Sequence, residues 1–140
     1  MKQIRIIRSG IVTRAERNIL QGLHPSVQIM FRTVLDRLRL YLAGSDLQLS
    51  APHSEKWITV KLHPRKAVLA FRQDKFGNLK FDIDTYAYND ISDPGPLFRF
   101  IENRNKPNKR HTALIMPNTS RQDLEHLIDK MIEGMRNFEA

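Results

Sequence analysis

The sequence predicts an α+β domain: an antiparallel sheet of about four strands, or five if the N-terminal segment joins it, with two main helices packed on one face. Three features of the chain predict it. Apolar residues recur at three- and four-residue steps from Val27 to Leu42, the period changes to two from Trp57 to Asp84, and helical spacing returns from Leu124 to Phe138. Helical segments therefore bracket a block of strands instead of alternating with them, which favours segregated helices over a parallel sheet.

Each element has its own justification. Lys2 to Arg8 interleaves β-branched isoleucines with basic residues and reads as a short edge strand, closed by a turn at Ser9-Gly10. Thr13-Arg14-Ala15-Glu16 has capping-box spacing and predicts a short helix to about Gln21, stopped by Gly22. Pro25 suits the first turn of a second helix whose stripe is Val27, Met30, Phe31, Val34, Leu35, Leu38 and Leu42, ending at Gly44. Gly44 to His53 is rich in breakers and reads as a loop with a brief extended piece at Leu47-Gln48-Leu49.

Trp57 to Leu62, Ala67 to Phe71 and Leu79 to Asp84 form three strands of a meander, separated by Pro64-Arg65-Lys66 and Lys75-Phe76-Gly77-Asn78. Leu79, Phe81 and Ile83 alternate with Lys80, Asp82 and Asp84, so one face of that strand is expected to meet water. Asp90 to Pro96 forms turns, and Leu97 to Ile101 reads as one apolar helical turn. Glu102 to Arg110 is an exposed basic loop, and His111 to Met116 is a fourth strand. Thr119 or Ser120 then caps a closing helix with the stripe Leu124, Leu127, Ile128, Met131, Met135 and Phe138.

Composition narrows the function classes. The 140 residues suit one domain spanning 1–140, able to bury roughly 70% of the surface that its unfolded form exposes. With no cysteine, thiolate metal sites, disulfides and a cysteine nucleophile are excluded, and the chain fits a reducing, cytoplasmic setting. No apolar run approaches the roughly 20 residues of a bilayer span, so no membrane partner is expected. The net charge of +8 makes nucleic acid or another polyanion the natural partner.

That charge is unevenly placed. Lys61, Arg65, Lys66, Arg72, Lys75 and Lys80 lie in the meander, and Arg104, Lys106, Lys109 and Arg110 crowd the late loop, while the closing helix is acidic at Asp123, Glu125, Asp129 and Glu133. These ten cations are the candidate nucleic-acid contacts, with the asparagines of the Asn103 to His111 loop adding bonds to phosphate and sugar. Trp57, Phe71 and Phe76 stand among them, and they are expected in the core because Trp57 and Phe71 belong to apolar strand runs.

No catalytic residue, cofactor site or metal site is indicated. The five histidines lack metal-ligand spacing, and there is no nucleophile elbow or phosphate-cradling glycine loop. Asp82 and Asp84, two apart on one strand, are the pair from which a metal-dependent nuclease would be built, but such a site needs further ligands.

From about Leu23 to the end, the chain resembles a small bacterial and archaeal domain of unknown function labelled a predicted transport protein. The residues carrying the likeness are Ile58-Thr59-Val60-Lys61, Ala70-Phe71, Leu79-Lys80-Phe81-Asp82-Ile83 and Leu124 to Ile132. Members of that family are often appended to endonuclease-like modules, so the resemblance implies an accessory role near nucleic acid and transfers no functional residue. The expectation is a non-enzymatic module that binds nucleic acid through a basic surface. The alternative is a protein-interaction or homo-oligomerisation module pairing through the edge of the initial strand.

Overall fold

The computed structural model describes residues 2–52, 54–63, 66–83, 97–101 and 110–139, and for 2–11, 62, 63, 66, 98–101, 110 and 111 it describes the backbone alone. The described elements run α1 (Lys2–Gly22), α2 (Pro25–Leu42), β1 (Gln48–Ser50), β2 (Ile58–His63), β3 (Lys66–Gln73), β4 (Leu79–Ile83), β5 (Phe98–Ile101), β6 (Arg110–Ile115) and α3 (Arg121–Glu139). The class is α+β as expected, and the described strands form one antiparallel sheet of order β1-β2-β3-β4-β6-β5.

The N-terminal segment departs from expectation. Lys2 to Arg8 is helical and continuous with the helix that follows, so it adds no fifth strand. The isoleucine pattern fits both periods: Ile4 and Ile6 are two apart, but Ile4, Ile7 and Ile11 also step by three and four toward Ala15 and Ile19. Val12, Ala15, Ile19 and Leu23 are buried in the core, and that packing anchors a helix across Ser9-Gly10, whose weak propensity costs about 1 kcal/mol at the glycine. Thr13 and Glu16 accordingly sit inside α1 and form no cap, and Glu16 pairs with Arg39 of α2 at 2.9 Å.

The remaining helices follow their apolar spacing. Pro25 begins α2, which buries Val27, Phe31, Val34, Leu35 and Leu38. In α3, the Ser120 hydroxyl accepts the Asp123 N–H at 3.1 Å, capping a helix that buries Leu124, Leu127, Ile128, Met131 and Met135. Arg37 of α2 holds Glu125 and Asp129 of α3 at 2.7 and 3.3 Å. At the far end, the Tyr41 hydroxyl donates to Glu139 at 2.8 Å, and the Ser45 hydroxyl donates to the other oxygen of the same carboxylate.

Leu97 to Ile101 also departs from expectation, because Phe98–Ile101 is an edge strand paired with β6 and not a helical turn. A run of four residues is too short for its period to discriminate, and the ladder to β6 supplies the backbone bonds that decide the matter. β6 returns between β4 and β5, and the extended piece expected near Leu47 to Leu49 becomes β1, paired with β2. The sheet therefore exceeds the four strands read from the sequence.

Register divides the sheet into two faces. Ile58, Phe71, Phe81 and Ala113 align across four strands, beside the Val60-Leu69-Ile83 row, and all are buried against the helices. Phe31 of α2 meets Phe71 edge-on, with ring centroids 5.9 Å apart. A bulge opposite Lys61 turns both Val68 and Leu69 into the core. The alternate positions Thr59, Ala70, Asp82 and Thr112, with Arg72, Lys80 and Leu114 in the next row, lie on the other face and are half-exposed.

Candidate functional site

The open face of the sheet gathers positive charge at one end. Arg72 and Lys80 are register partners on β3 and β4, while Lys61 lies on the same face of β2 two rows away, opposite Ala67. Ile58 pairs with Phe71, so Trp57, one residue earlier, comes opposite Arg72. The guanidinium carbon of Arg72 lies 4.2 Å from the centroid of the Trp57 ring, a cation–π stack. The Arg72 Nε is buried there and has no hydrogen-bond partner among the described residues.

Ion pairing separates these cations from some of the other basic residues, although Arg17, Arg32, Arg121 and Arg136 also form no ion pair among the described residues. Arg14, Arg37, Arg39 and Lys130 are engaged in ion pairs with Glu55, Glu125, Asp129, Glu16 and Glu133. Among the described residues, no carboxylate forms an ion pair with Lys56, Lys61, Arg72, Lys75 or Lys80. Like charges directly opposite on neighbouring strands repel, so the Arg72-Lys80 register pairing is unfavourable in itself. Asp82 is the acid of this face, one row away between Ala70 and Thr112.

The β3–β4 turn extends the patch. Asp74 accepts the N–H groups of Phe76 and Asn78 on one carboxylate oxygen, at 2.8 and 2.9 Å, and Gly77 adopts φ +81°. Only glycine takes that conformation without strain. The turn lifts Phe76 into solvent, 74% exposed, with the Lys75 ammonium 5.2 Å from its ring centroid. On the helix side, the His24 N–H donates to the Gly77 carbonyl at 2.9 Å and ties the turn to the start of α2.

Beside Trp57 the surface sinks into a cavity of roughly 330 Å³ lined by Asn18, Ile19, Ser54, Lys56, Trp57, Arg72 and Gln73. Asn18 of α1 donates to the Glu55 carbonyl at 3.1 Å while Arg14 grips the Glu55 carboxylate at 2.9 Å, which fixes the helix against the segment entering β2. A Cβ at Gly22 would fall 1.6 Å from the Gln73 side-chain oxygen, so the absence of a side chain at the end of α1 makes room for that amide.

Of the cations read from the sequence, Arg72, Lys75 and Lys80 gather at this end of the sheet, whereas Lys61 lies on the same face toward the other end of β2, opposite Ala67. Lys66 begins β3 and Arg110 begins β6. Arg65, Arg104, Lys106 and Lys109 lie outside the described residues. Phe71 is buried in the core as expected, whereas Trp57 is half-buried under Arg72 and Phe76 is exposed. Their positions at a strand entrance and a turn tip, outside the paired ladder, separate them from Phe71.

Lys56, Ser54, Gln73 and Asn18 were not singled out by sequence. Asn18 comes from a helix about 40 residues away, and spacing along the chain carries no trace of that meeting. Asp84 lies outside the described residues, and among those described no three His, Asp or Glu side chains converge to hold a metal ion. No described helix is long and apolar enough to cross a membrane. No family model, curated protein or solved structure matches the chain.

Proposed function

We propose that this chain is a non-enzymatic accessory module that binds nucleic acid through the open face of its sheet and the adjoining hairpin tip. The observation that supports this best is the gathering of Arg72 and Lys80 with Trp57 at one end of that face, beside Lys75 of the adjoining turn, with no described acid paired to them. Cations in such a row meet successive phosphates, and release of the counterions around those phosphates drives binding. Trp57 and the exposed Phe76 supply the aromatic surfaces on which unpaired bases stack. The basic run from Arg104 to Arg110, read from sequence, extends the same polarity.

The test is binding of the purified chain to short single- and double-stranded DNA and RNA across a salt series. Three to five phosphate contacts give a log–log salt slope of roughly −2.7 to −4.5 on duplex DNA and roughly −2 to −3.5 on a single strand. Charge reversal at Lys75 and Lys80 together lowers affinity across sequences and flattens that slope, and reversal at Lys106, Lys109 and Arg110 measures the share of the late loop. Absence of binding at low salt would overturn the proposal.

A second reading, docking of a protein or of another copy, rests on Ile29 and Leu40, which stand 69% and 76% exposed on α2. Eleven residues apart on a helix, they share one face. A mass that rises with concentration and falls back in an Ile29→Glu, Leu40→Glu variant favours it.

A further inference from the structure

The geometry points to the cavity beside Trp57 as a seat for one nucleotide unit, a planar base joined to a phosphate. This inference rests on the proposed nucleic-acid role and assigns it a strand class, because only an unpaired nucleotide can enter. Trp57 offers a ring at the cavity wall, and Arg72 lies against that ring at 4.2 Å, so an aromatic surface and a guanidinium meet at one spot. Bases stack on such surfaces whatever their identity, and guanidinium groups take phosphate oxygens in a fork.

The lining chemistry is one-sided. Lys56 and Arg72 contribute two cations, Ser54 a hydroxyl and Gln73 an amide, and among the described residues no carboxylate lines the cavity. Glu55, the nearest acid in sequence, is held by Arg14 outside that lining. The buried Arg72 Nε has no described hydrogen-bond partner, so a donor waits in a place where leaving it unpaired is costly. The Nε itself is sealed from solvent, so an anion in the cavity meets Arg72 through the rest of its guanidinium. The Nδ2 group of Asn18 is committed to the Glu55 carbonyl, which leaves its oxygen to accept from a base edge.

Size supports the same class. At roughly 330 Å³ the cavity stands at the lower end of the range for small-molecule sites, on the scale of one nucleotide and not of a larger cofactor. Gly22 fixes where Gln73 of the lining can lie, because that amide occupies the space that a side chain at 22 would claim. A methyl group there displaces the far end of a flexible, exposed amide and alters the cavity without opening the core.

Trp57 is the single tryptophan of the chain, so its emission reports directly on the cavity. The experiment titrates the intact protein with adenosine monophosphate, adenosine and inorganic phosphate, then with a short single-stranded oligonucleotide and its duplex. The expected result is saturable quenching by the nucleotide, weaker by roughly tenfold or more for adenosine or phosphate alone, with the single strand preferred to the duplex. Gly22→Ala and Gln73→Ala, whose folding circular dichroism verifies, reduce quenching by the nucleotide but leave the salt slope of duplex binding unchanged.

Quenching by inorganic phosphate equal to that by the nucleotide would overturn the seating of a base, as would an absence of any quenching. Oligonucleotide binding that ignores Gly22→Ala and favours the duplex would also overturn this inference while leaving the nucleic-acid role intact. Nucleotide quenching without oligonucleotide binding would keep the cavity and reassign its ligand to the free nucleotide, which overturns the broader proposal instead.

Discussion

Arg72 and Trp57 are stacked, guanidinium over indole at 4.2 Å, although they belong to different strand segments and neither has a described charged partner. The contact stabilises a half-exposed site by about 0.5–1 kcal/mol. Arg72→Ala is expected to lower unfolding free energy by about that amount, change the emission of Trp57 and weaken nucleic-acid binding severalfold. Denaturant titration and fluorescence measure the first two effects, and the binding series above measures the third. A loss of several kcal/mol would show that the side chain serves the core instead.

Lys80 faces Arg72 across β3 and β4. Lys80→Glu replaces a like-charged pair with an opposite one, so stability is expected to rise by about 0.2–1 kcal/mol while nucleic-acid affinity falls. The two changes have opposite signs, the pattern expected when a strained surface is retained for binding. A less stable variant with unchanged affinity would contradict the role given to this pair.

Gly77 holds φ +81° in the turn that presents Phe76. Gly77→Ala forces an L side chain into the left-handed region and meets the His24 backbone nitrogen at 3.2 Å. The expected destabilisation is roughly 1–2 kcal/mol. Thermal or urea unfolding checks this, and Asp74→Ala, which removes the acceptor of two turn N–H groups, is expected to act in the same direction.

Glu139 and Tyr41 give the fold a pH dependence at both extremes. Hydrogen bonding from Ser45, then from Tyr41 and the N–H groups of Leu47 and Asp46, holds the Glu139 carboxyl below its usual range against the opposing effect of its burial. Its folded value lies below its unfolded one, so its contribution is present above the ordinary carboxylate range and is lost as pH falls through the folded value. Burial first, then the hydrogen bond to Glu139 and that residue's charge, push Tyr41 up to about 12. That contribution is complete below about 10 and disappears as pH rises through about 12.

Glu139→Gln is accordingly expected to flatten the acid limb of the stability profile. It also lowers the Tyr41 value only in part, because burial is the larger cause. Tyrosine absorbance titration and unfolding at a series of pH values measure both effects.

Much of the fold was legible because its periodicities are long. The α2 stripe, the α3 stripe and the alternation of β4 each follow from which residues avoid water, and local spacing suffices to show it. Short or two-fold ambiguous runs were not legible. Ile4, Ile6 and Ile7 satisfy both periods, and Phe98 to Ile101 is a single turn or a four-residue strand until β6 supplies its partner.

The sequence by itself determined the α+β class, the apolar faces of α2 and α3, the absence of thiol chemistry and an excess of positive charge. The tertiary structure alone decided where that charge acts. Register placed Arg72 opposite Lys80 and beside Trp57, carboxylates from distant segments absorbed Arg14, Arg37 and Arg39, and Asn18 crossed from α1 to line a cavity with Lys56 and Gln73. The physical reason is that burial is a property of single residues along a local period, whereas ion pairing, stacking and cavity lining depend on distances between segments that only packing of the chain brings together.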